Sequence, residues 1–127
     1  VKIGFDNALA SKIYAGADMF LMPSQFEPCG ISQMVSMRYG TVPIVRETGG
    51  LADTIHPYNP ENGEGNGVTF VTYNAHDMLD ACRRAKEYYD KKAQWGKLVT
   101  HAMKSDFSWD TSAELYLGLY RELTGEY

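Results

Sequence analysis

Short, almost continuously apolar runs alternate with helix-length segments through the first half of the chain, and few folds accept that pattern. Four runs read as strands: Val1–Phe5 (VKIGF), Asp18–Met22 (DMFLM), Val42–Val45 (VPIV) and Val68–Val71 (VTFV). A strand that is apolar at nearly every position, not every second one, suits a sheet covered on both faces. Between the first two runs, Asp6 or Asn7 can cap a helix over Ala8–Ala15, with Leu9, Ile13 and Ala17 spaced for one buried face. Ile31–Tyr39 reads as a second helix, with Met34, Val35 and Met37 apolar and Gly40 as its stop. Gly50–Ile55 reads as a helical turn, and residues 57–67 (PYNPENGEGNG) as a loop. Pro43 fits only in the first residues of its strand.

The second half is helical. Met78, Leu79, Cys82, Ala85 and Tyr89 form one stripe over Ala75–Lys91, and Trp95, Leu98, Val99 and Ala102 a second over Lys91–Met103. Ser108 or Thr111 can start a final helix with the stripe Ala113, Tyr116, Leu117, Tyr120, and Thr111-x-x-Glu114 fits a capping box. The pattern predicts a single α/β domain over 1–127, with strand–helix units in 1–72, a helical segment in 73–127 and a parallel sheet of about four strands.

Composition narrows the function classes. With 127 residues, 44% of them hydrophobic, the chain can bury a real core, which excludes disorder for most of it. A net charge of −4 without basic runs argues against nucleic acid as a partner. No apolar stretch reaches membrane-spanning length, and the first residues do not read as a signal peptide. Two cysteines, Cys29 and Cys82, are too few for a disulfide framework, so a reducing, cytoplasmic setting is expected. The chain opens on a strand-like run without Met, which reads as a piece of something longer.

Ligands on parallel sheets sit at the carboxyl ends of the strands, so the segments after Phe5, Met22, Val45 and Val71 are where chemistry is expected. The richest is Pro23–Gly30 (PSQFEPCG), which turns into the helix at Ile31. The first amides of a helix lack internal partners and suit a phosphate. Gly30 allows close approach, Ser32 adds a hydroxyl, and Glu27 stands just ahead of the amides. Taken alone, Glu27 reads first as a carboxylate favouring the helix dipole, and second as a group that bonds sugar hydroxyls. Thr48-Gly49-Gly50, after the third strand, suits either ligand contact or a plain turn. Arg46 and Arg38 are within the range of anions, although lone arginines are usually solvated. Phe5 is a candidate to stack on a nucleobase, against the commoner outcome of a core phenylalanine.

Other features carry no chemistry. Gly63-Glu64-Gly65-Asn66-Gly67 precedes a strand and lacks the last glycine of a dinucleotide fingerprint. Gly30-Ile31-Ser32-Gln33-Met34 lacks the final glycine of a hydrolase nucleophile elbow. His56, His76 and His101 have no ligand spacing, so no metal is expected. Tyr88, Tyr89, Tyr116 and Tyr120 read as core and interface aromatics.

FEPCG followed by a helix and MRYG, then VPIVRETGGLADTI and a late DFSW, resembles the bacterial glycogen synthases and plant starch synthases. These are retaining glycosyltransferases of the GT-B fold, built from two Rossmann-like domains. The likeness spans most of Ala17–Ile55 and resumes at Asp106–Trp109. It implies a Rossmann-like sheet, here the C-terminal part of the nucleotide-sugar-binding domain, with the acceptor-side N-terminal domain missing from this chain. It implies glucosyl transfer from ADP-glucose to the non-reducing end of an α-1,4-glucan, with retention. By resemblance, Glu27 is the essential glutamate that contacts the donor sugar. The backbone of Cys29, Gly30 and Ile31, with the Ser32 side chain, is the pyrophosphate turn. Phe5 takes the place of an adenine-stacking tyrosine, and Thr48, Gly49 and Gly50 lie beside the donor. No metal or other cofactor is implied, and the cations that neutralise the diphosphate lie outside this chain. Gln25, Ser32 and Val35 depart from the family's usual residues. Val35 stands where a related family of nucleotide-sugar transferases has a second glutamate, which favours the glycogen synthase branch.

Two other readings stand beside this one: a transferase with another acceptor, and a nucleotide-binding module with no activity of its own. The 127 residues alone are expected to be inactive. With the sheet incomplete, Val1–Phe5 is expected either to pair with Asp18–Met22 inside the chain or to exchange between copies. The apolar face of the last helix adds to the expectation of a homo-oligomer.

Overall fold

A computed structural model describes residues 1–125. Helix α1 (Asn7–Gly16) precedes strand β1 (Met19–Met22); then follow α2 (Ser32–Arg38), β2 (Val42–Arg46), α3 (Gly50–Thr54), β3 (Val68–Phe70), α4 (Ala75–Asp90), α5 (Lys92–Lys104) and α6 (Trp109–Thr124). The sheet is parallel throughout, in the order β1-β2-β3, with Leu21 opposite Ile44 and Ile44 opposite Val68. It is therefore an α/β fold of the kind expected, with three strands among the described residues where about four were expected.

The strand that does not form is Val1–Phe5. The segment is exposed, with no ladder partner, and Phe5 is 91% accessible. A strand is stable only where neighbours take its hydrogen bonds and cover its apolar side chains, and nothing among the described residues does either for this segment. The expected internal pairing with β1 is thus absent: β1 pairs with β2 alone, and its outer edge is bare among the described residues.

The central strand behaves as its sequence implies. Val42–Val45 is buried at every position, with Pro43 second in the strand. At the edge, β1 is only half-buried and Leu21 is exposed, so its continuous apolarity is not matched by cover on both faces. One core cluster joins Met37, Val45, Leu51, Ile55 and Ala102. Another joins Ile44, Val68 and Phe70 to Ala81 and Ala85, and a third joins Val42 and Tyr58 to Trp95 and Leu98. On α4 the buried positions are Ala81 and Ala85, while Leu79 is exposed. Ala81 and Ala85, four residues apart, mark the face that meets the sheet, and Leu79, two residues before Ala81, stands on the other side of the helix. Tyr88 and Tyr89 pack edge-on against Tyr58 and Trp95, each pair at 5.2 Å.

Capping follows local chemistry. Asp6, not Asn7, caps α1 by accepting from the Leu9 amide at 3.0 Å, and Asn74 caps α4 from the Asp77 amide at 2.8 Å. Ser108 caps α6, so Thr111 lies inside the helix and the Thr111–Glu114 capping box does not form. Instead the Thr111 hydroxyl donates to the Asp106 carboxylate at 2.9 Å. Hydrogen bonds from the Ser108 amide first, then from the Ser108 and Thr111 hydroxyls, hold the Asp106 carboxyl below its usual value. The face of α1 predicted to be buried is not; α1 sits at the sheet's open side, where Tyr14 packs on Phe20 and Tyr39. No residue of α6 is buried.

Candidate functional site

The carboxyl edge of the sheet is where the two motif segments meet. After β1, residues 23–30 swing out and return to start α2. They include Pro23 and Pro28, which have no amide hydrogen to donate. Among the described residues this loop makes no backbone hydrogen bond to itself. Its shape comes from the chain that continues β2.

That chain is Arg46–Gly50. The Gly50 amide donates to the Glu27 carbonyl at 3.0 Å. A β-carbon on Gly50 would fall inside the Cys29 carbonyl, and one on Gly49 would strike the Glu27 carbonyl. Gly49 also takes a φ of 46°, which favours glycine. The Gly49–Gly50 pair is thus neither a plain turn nor simply an opening for a ligand: two stretches of backbone cross there in direct contact. Thr48 is half-buried beside the crossing, with its carbonyl accepting from Leu51 at 3.1 Å.

Arg46 is not a solvated surface arginine, as Arg38 is. Its Nε donates to the Ser24 carbonyl at 3.1 Å, Nη1 to Val71 at 3.1 Å, and Nη2 to Gln25. Its guanidinium lies 5.7 Å from the centre of the Tyr73 ring.

The end of the loop is held from α2. Gln33 is fully buried, and its Nε2 donates to the Gly30 carbonyl at 3.0 Å, to Cys29 at 3.4 Å and to the Thr54 hydroxyl at 3.1 Å. Thr54 in turn donates to the Gly50 carbonyl at 2.6 Å. Gln33 therefore ties the turn before α2 to the glycine crossing. Its Oε1 has no partner among the described residues. Gly30 takes a φ of 75°, and a β-carbon there would sit 2.7 Å from that oxygen.

The outcome for the candidate residues is uneven. Glu27 is half-buried, with the Ser24 hydroxyl 3.5 Å from its Oε2, a contact at the long limit of a hydrogen bond. Cys29 and Ile31 are exposed, and Gly30 and Ser32 half-buried. The amides of Ile31, Ser32, Gln33 and Met34 have no acceptor among the described residues; the first bond of the helix runs from Val35 to Ile31 at 3.0 Å. Glu27, this turn and Thr48–Gly50 are thus brought together. Phe5 is not part of this network; it lies on the exposed segment ahead of α1. No group of three acidic, histidine or cysteine side chains is placed to hold a metal among the described residues.

Sequence reading missed Gln33, Thr54 and the use of Arg46. For Gln33 a signal existed: it shares the buried face of α2 with Ser36 and Met37, and a polar residue on an inward face needs partners. For Arg46 there was none, because its acceptors lie on two other loops.

Comparison with known proteins finds relatives for most of the chain. The model of the family described as glycosyl transferases group 1 matches residues 3–100. A glycogen synthase of Clostridium acetobutylicum is 60% identical over 119 residues, 93% of this chain and 25% of the relative. One from Desulfitobacterium hafniense is 57% identical over 124 residues, 97% of this chain and 27% of the relative. Among solved structures, the catalytic domain of starch synthase IV from Arabidopsis thaliana, bound to ADP and acarbose, superposes with a TM-score of 0.83. It is 42% identical, over 94% of this chain and 25% of that one. The chain spans about a quarter of the length of the curated relatives it matches.

Proposed function

The chain belongs to the group 1 glycosyl transferases, and from that premise we propose that it is the donor-binding part of a glycogen or starch synthase. The reaction is transfer of glucose from ADP-glucose to the non-reducing end of an α-1,4-glucan, with retention. One observation carries the reading: Glu27 and a row of amides without acceptors among the described residues stand together at the carboxyl edge of the sheet, in a chain 60% identical to a glycogen synthase. The starch synthase neighbour, bound to ADP and acarbose, supports a nucleotide sugar as donor and a glucan as acceptor.

The chemistry suits those groups. The bond between the anomeric carbon and the diphosphate oxygen breaks, leaving negative charge on the phosphate and positive charge growing on the sugar. Amides fixed before the reaction stabilise the departing phosphate without reorganising. In this reading the backbone of Cys29, Gly30 and Ile31 and the Ser32 hydroxyl take the diphosphate. Glu27 holds the sugar in a reactive pose. Thr48, Gly49 and Gly50 border the donor, and Phe5 stacks on adenine once its segment is ordered. The remaining phosphate cations and the acceptor site are supplied by an N-terminal domain, and no metal is required. The setting is cytoplasmic, in keeping with two free cysteines.

The test is turnover by the full-length protein with ADP-glucose and UDP-glucose against α-1,4-glucan and other acceptors. Glu27→Ala should lower kcat at least about a hundred-fold while thermal stability holds. Near-normal turnover in that variant, or transfer only to an unrelated acceptor, would refute the assignment.

A further inference from the structure

Resting on the reading above, we propose that Arg46 is a positioning residue for Glu27: it fixes the backbone from which the carboxylate projects. Glu27 sits in a loop that makes no backbone hydrogen bonds to itself among the described residues, so its direction depends on outside anchors. Three exist. Gln33 binds the carbonyls of Cys29 and Gly30, after Glu27. The Gly50 amide binds the carbonyl of Glu27 itself. Among the described residues Arg46 alone holds the part before it, through the carbonyls of Ser24 and Gln25.

The same guanidinium also binds the Val71 carbonyl at the end of β3, so it spans the ends of all three strands. Arginine suits this place because its donors form a rigid planar fork; a lysine presents one rotating ammonium and cannot hold three diverging carbonyls in one geometry. No carboxylate pairs with Arg46 among the described residues. Its contacts are with neutral carbonyls and the Tyr73 ring, which leaves its positive charge uncompensated beside the turn. Arg46 belongs to none of the three core clusters, and its strand pairs with Phe70 through the backbone. Removing the side chain should therefore loosen the Ser24–Gln25 anchor and leave the sheet intact.

The test is a double-mutant cycle in the full-length protein, with Arg46→Ala, Arg46→Lys, Glu27→Ala and Glu27→Ala/Arg46→Ala. Arg46→Ala should lower kcat at least ten-fold with KM for the sugar donor within about three-fold, and Arg46→Lys should restore little of the loss. The double variant should be no slower than Glu27→Ala, because a residue that acts through Glu27 has nothing left to position. Additive losses, or a change confined to KM, would overturn the proposal. A second readout does not depend on the reaction. Amide order parameters at Gln25–Glu27 should fall from the rigid range near 0.85 to below about 0.6 in Arg46→Ala, and unchanged values would likewise overturn it. If the parent protein transfers no glucose, or Glu27→Ala is fully active, the functional reading fails, and the order parameters alone decide the role of Arg46.

Discussion

Replacing Gly50 by alanine separates two accounts of the Gly-Gly pair. If the glycines exist to let a ligand approach, Gly50→Ala folds normally and loses only donor affinity. If they exist because the chain crosses itself there, the variant is unstable without any ligand. The structure favours the second account, since the new β-carbon would overlap the Cys29 carbonyl, and a backbone atom cannot rotate away. Forcing an extra carbon into packed surroundings costs about 1–3 kcal/mol. Displacing the Gly50 amide from the Glu27 carbonyl, now 3.0 Å away, costs about 0.5–1.5 kcal/mol more. Stiffening of the unfolded chain returns about 0.4–1 kcal/mol. The net loss is about 0.5–4 kcal/mol, centred near 2.3, which at a slope of about 1.5 kcal/mol/M lowers the urea midpoint by about 0.3–2.7 M, centred near 1.5 M. Trp95, 9% exposed, is the reporter; Trp109, 86% exposed, is changed to Phe in every variant. Gly96→Ala is the matched control: nothing lies near its added carbon, and it is in the body of α5. It should gain about 0.5–1 kcal/mol. A Gly50→Ala midpoint within about 0.3 M of the parent would refute the crossing argument.

Other expectations follow from the same geometry. Gln33→Met keeps the volume but strands the Cys29 and Gly30 carbonyls, and should lose about 1–3 kcal/mol in urea unfolding; an unchanged midpoint would show that water replaces the amide. Leu98→Ala, at a fully buried position, should cost about 2–5 kcal/mol in the same assay. The Asp77 carboxyl is held below its usual 3.8 by hydrogen bonding from Thr72 and then Asn74, so it contributes stability present above 3.8 and lost as pH falls through its lower folded value. Asp77→Asn should flatten the acid side of the stability profile below about pH 4, and an identical profile would count against that role. The 127-residue chain should self-associate through the bare edge of β1 and the exposed Leu115, Leu119 and Leu123 of α6. Light scattering that finds a clean monomer at high concentration would exclude this.

Much of the fold was legible because its causes are local. Continuous apolarity at Val42–Val45 marks a strand covered on both faces, and the spacing of Trp95, Leu98 and Ala102 marks the inner face of α5; both are buried as expected. Asp6, one of the two caps the sequence offered, caps α1 because a short polar side chain reaches the amides that follow it. Val1–Phe5 has the same strand chemistry and forms no strand, because a strand also needs a neighbour, which no property of those residues supplies. Leu79 was misplaced for a related reason: the apolar stripe is wider than the face the sheet covers, and the packing that buries Ala81 and Ala85 leaves Leu79 outside it.

The candidate site divides along the same line. Glu27, Cys29, Gly30, Ile31 and Ser32 lie within a few residues of one another, so strand end, turn and helix start are written in consecutive letters and can be read there. That Thr48–Gly50 lies against this turn depends on β1 and β2 being neighbours in the sheet. That Arg46 reaches Ser24, Gln25 and Val71 depends on β2 lying between the other two strands. The sequence by itself determined which residues can turn, cap and bury. The tertiary structure decided which of those segments touch, because contacts between distant segments are set by strand order and register, and a glycine required by a crossing chain looks in sequence like a glycine required by a ligand.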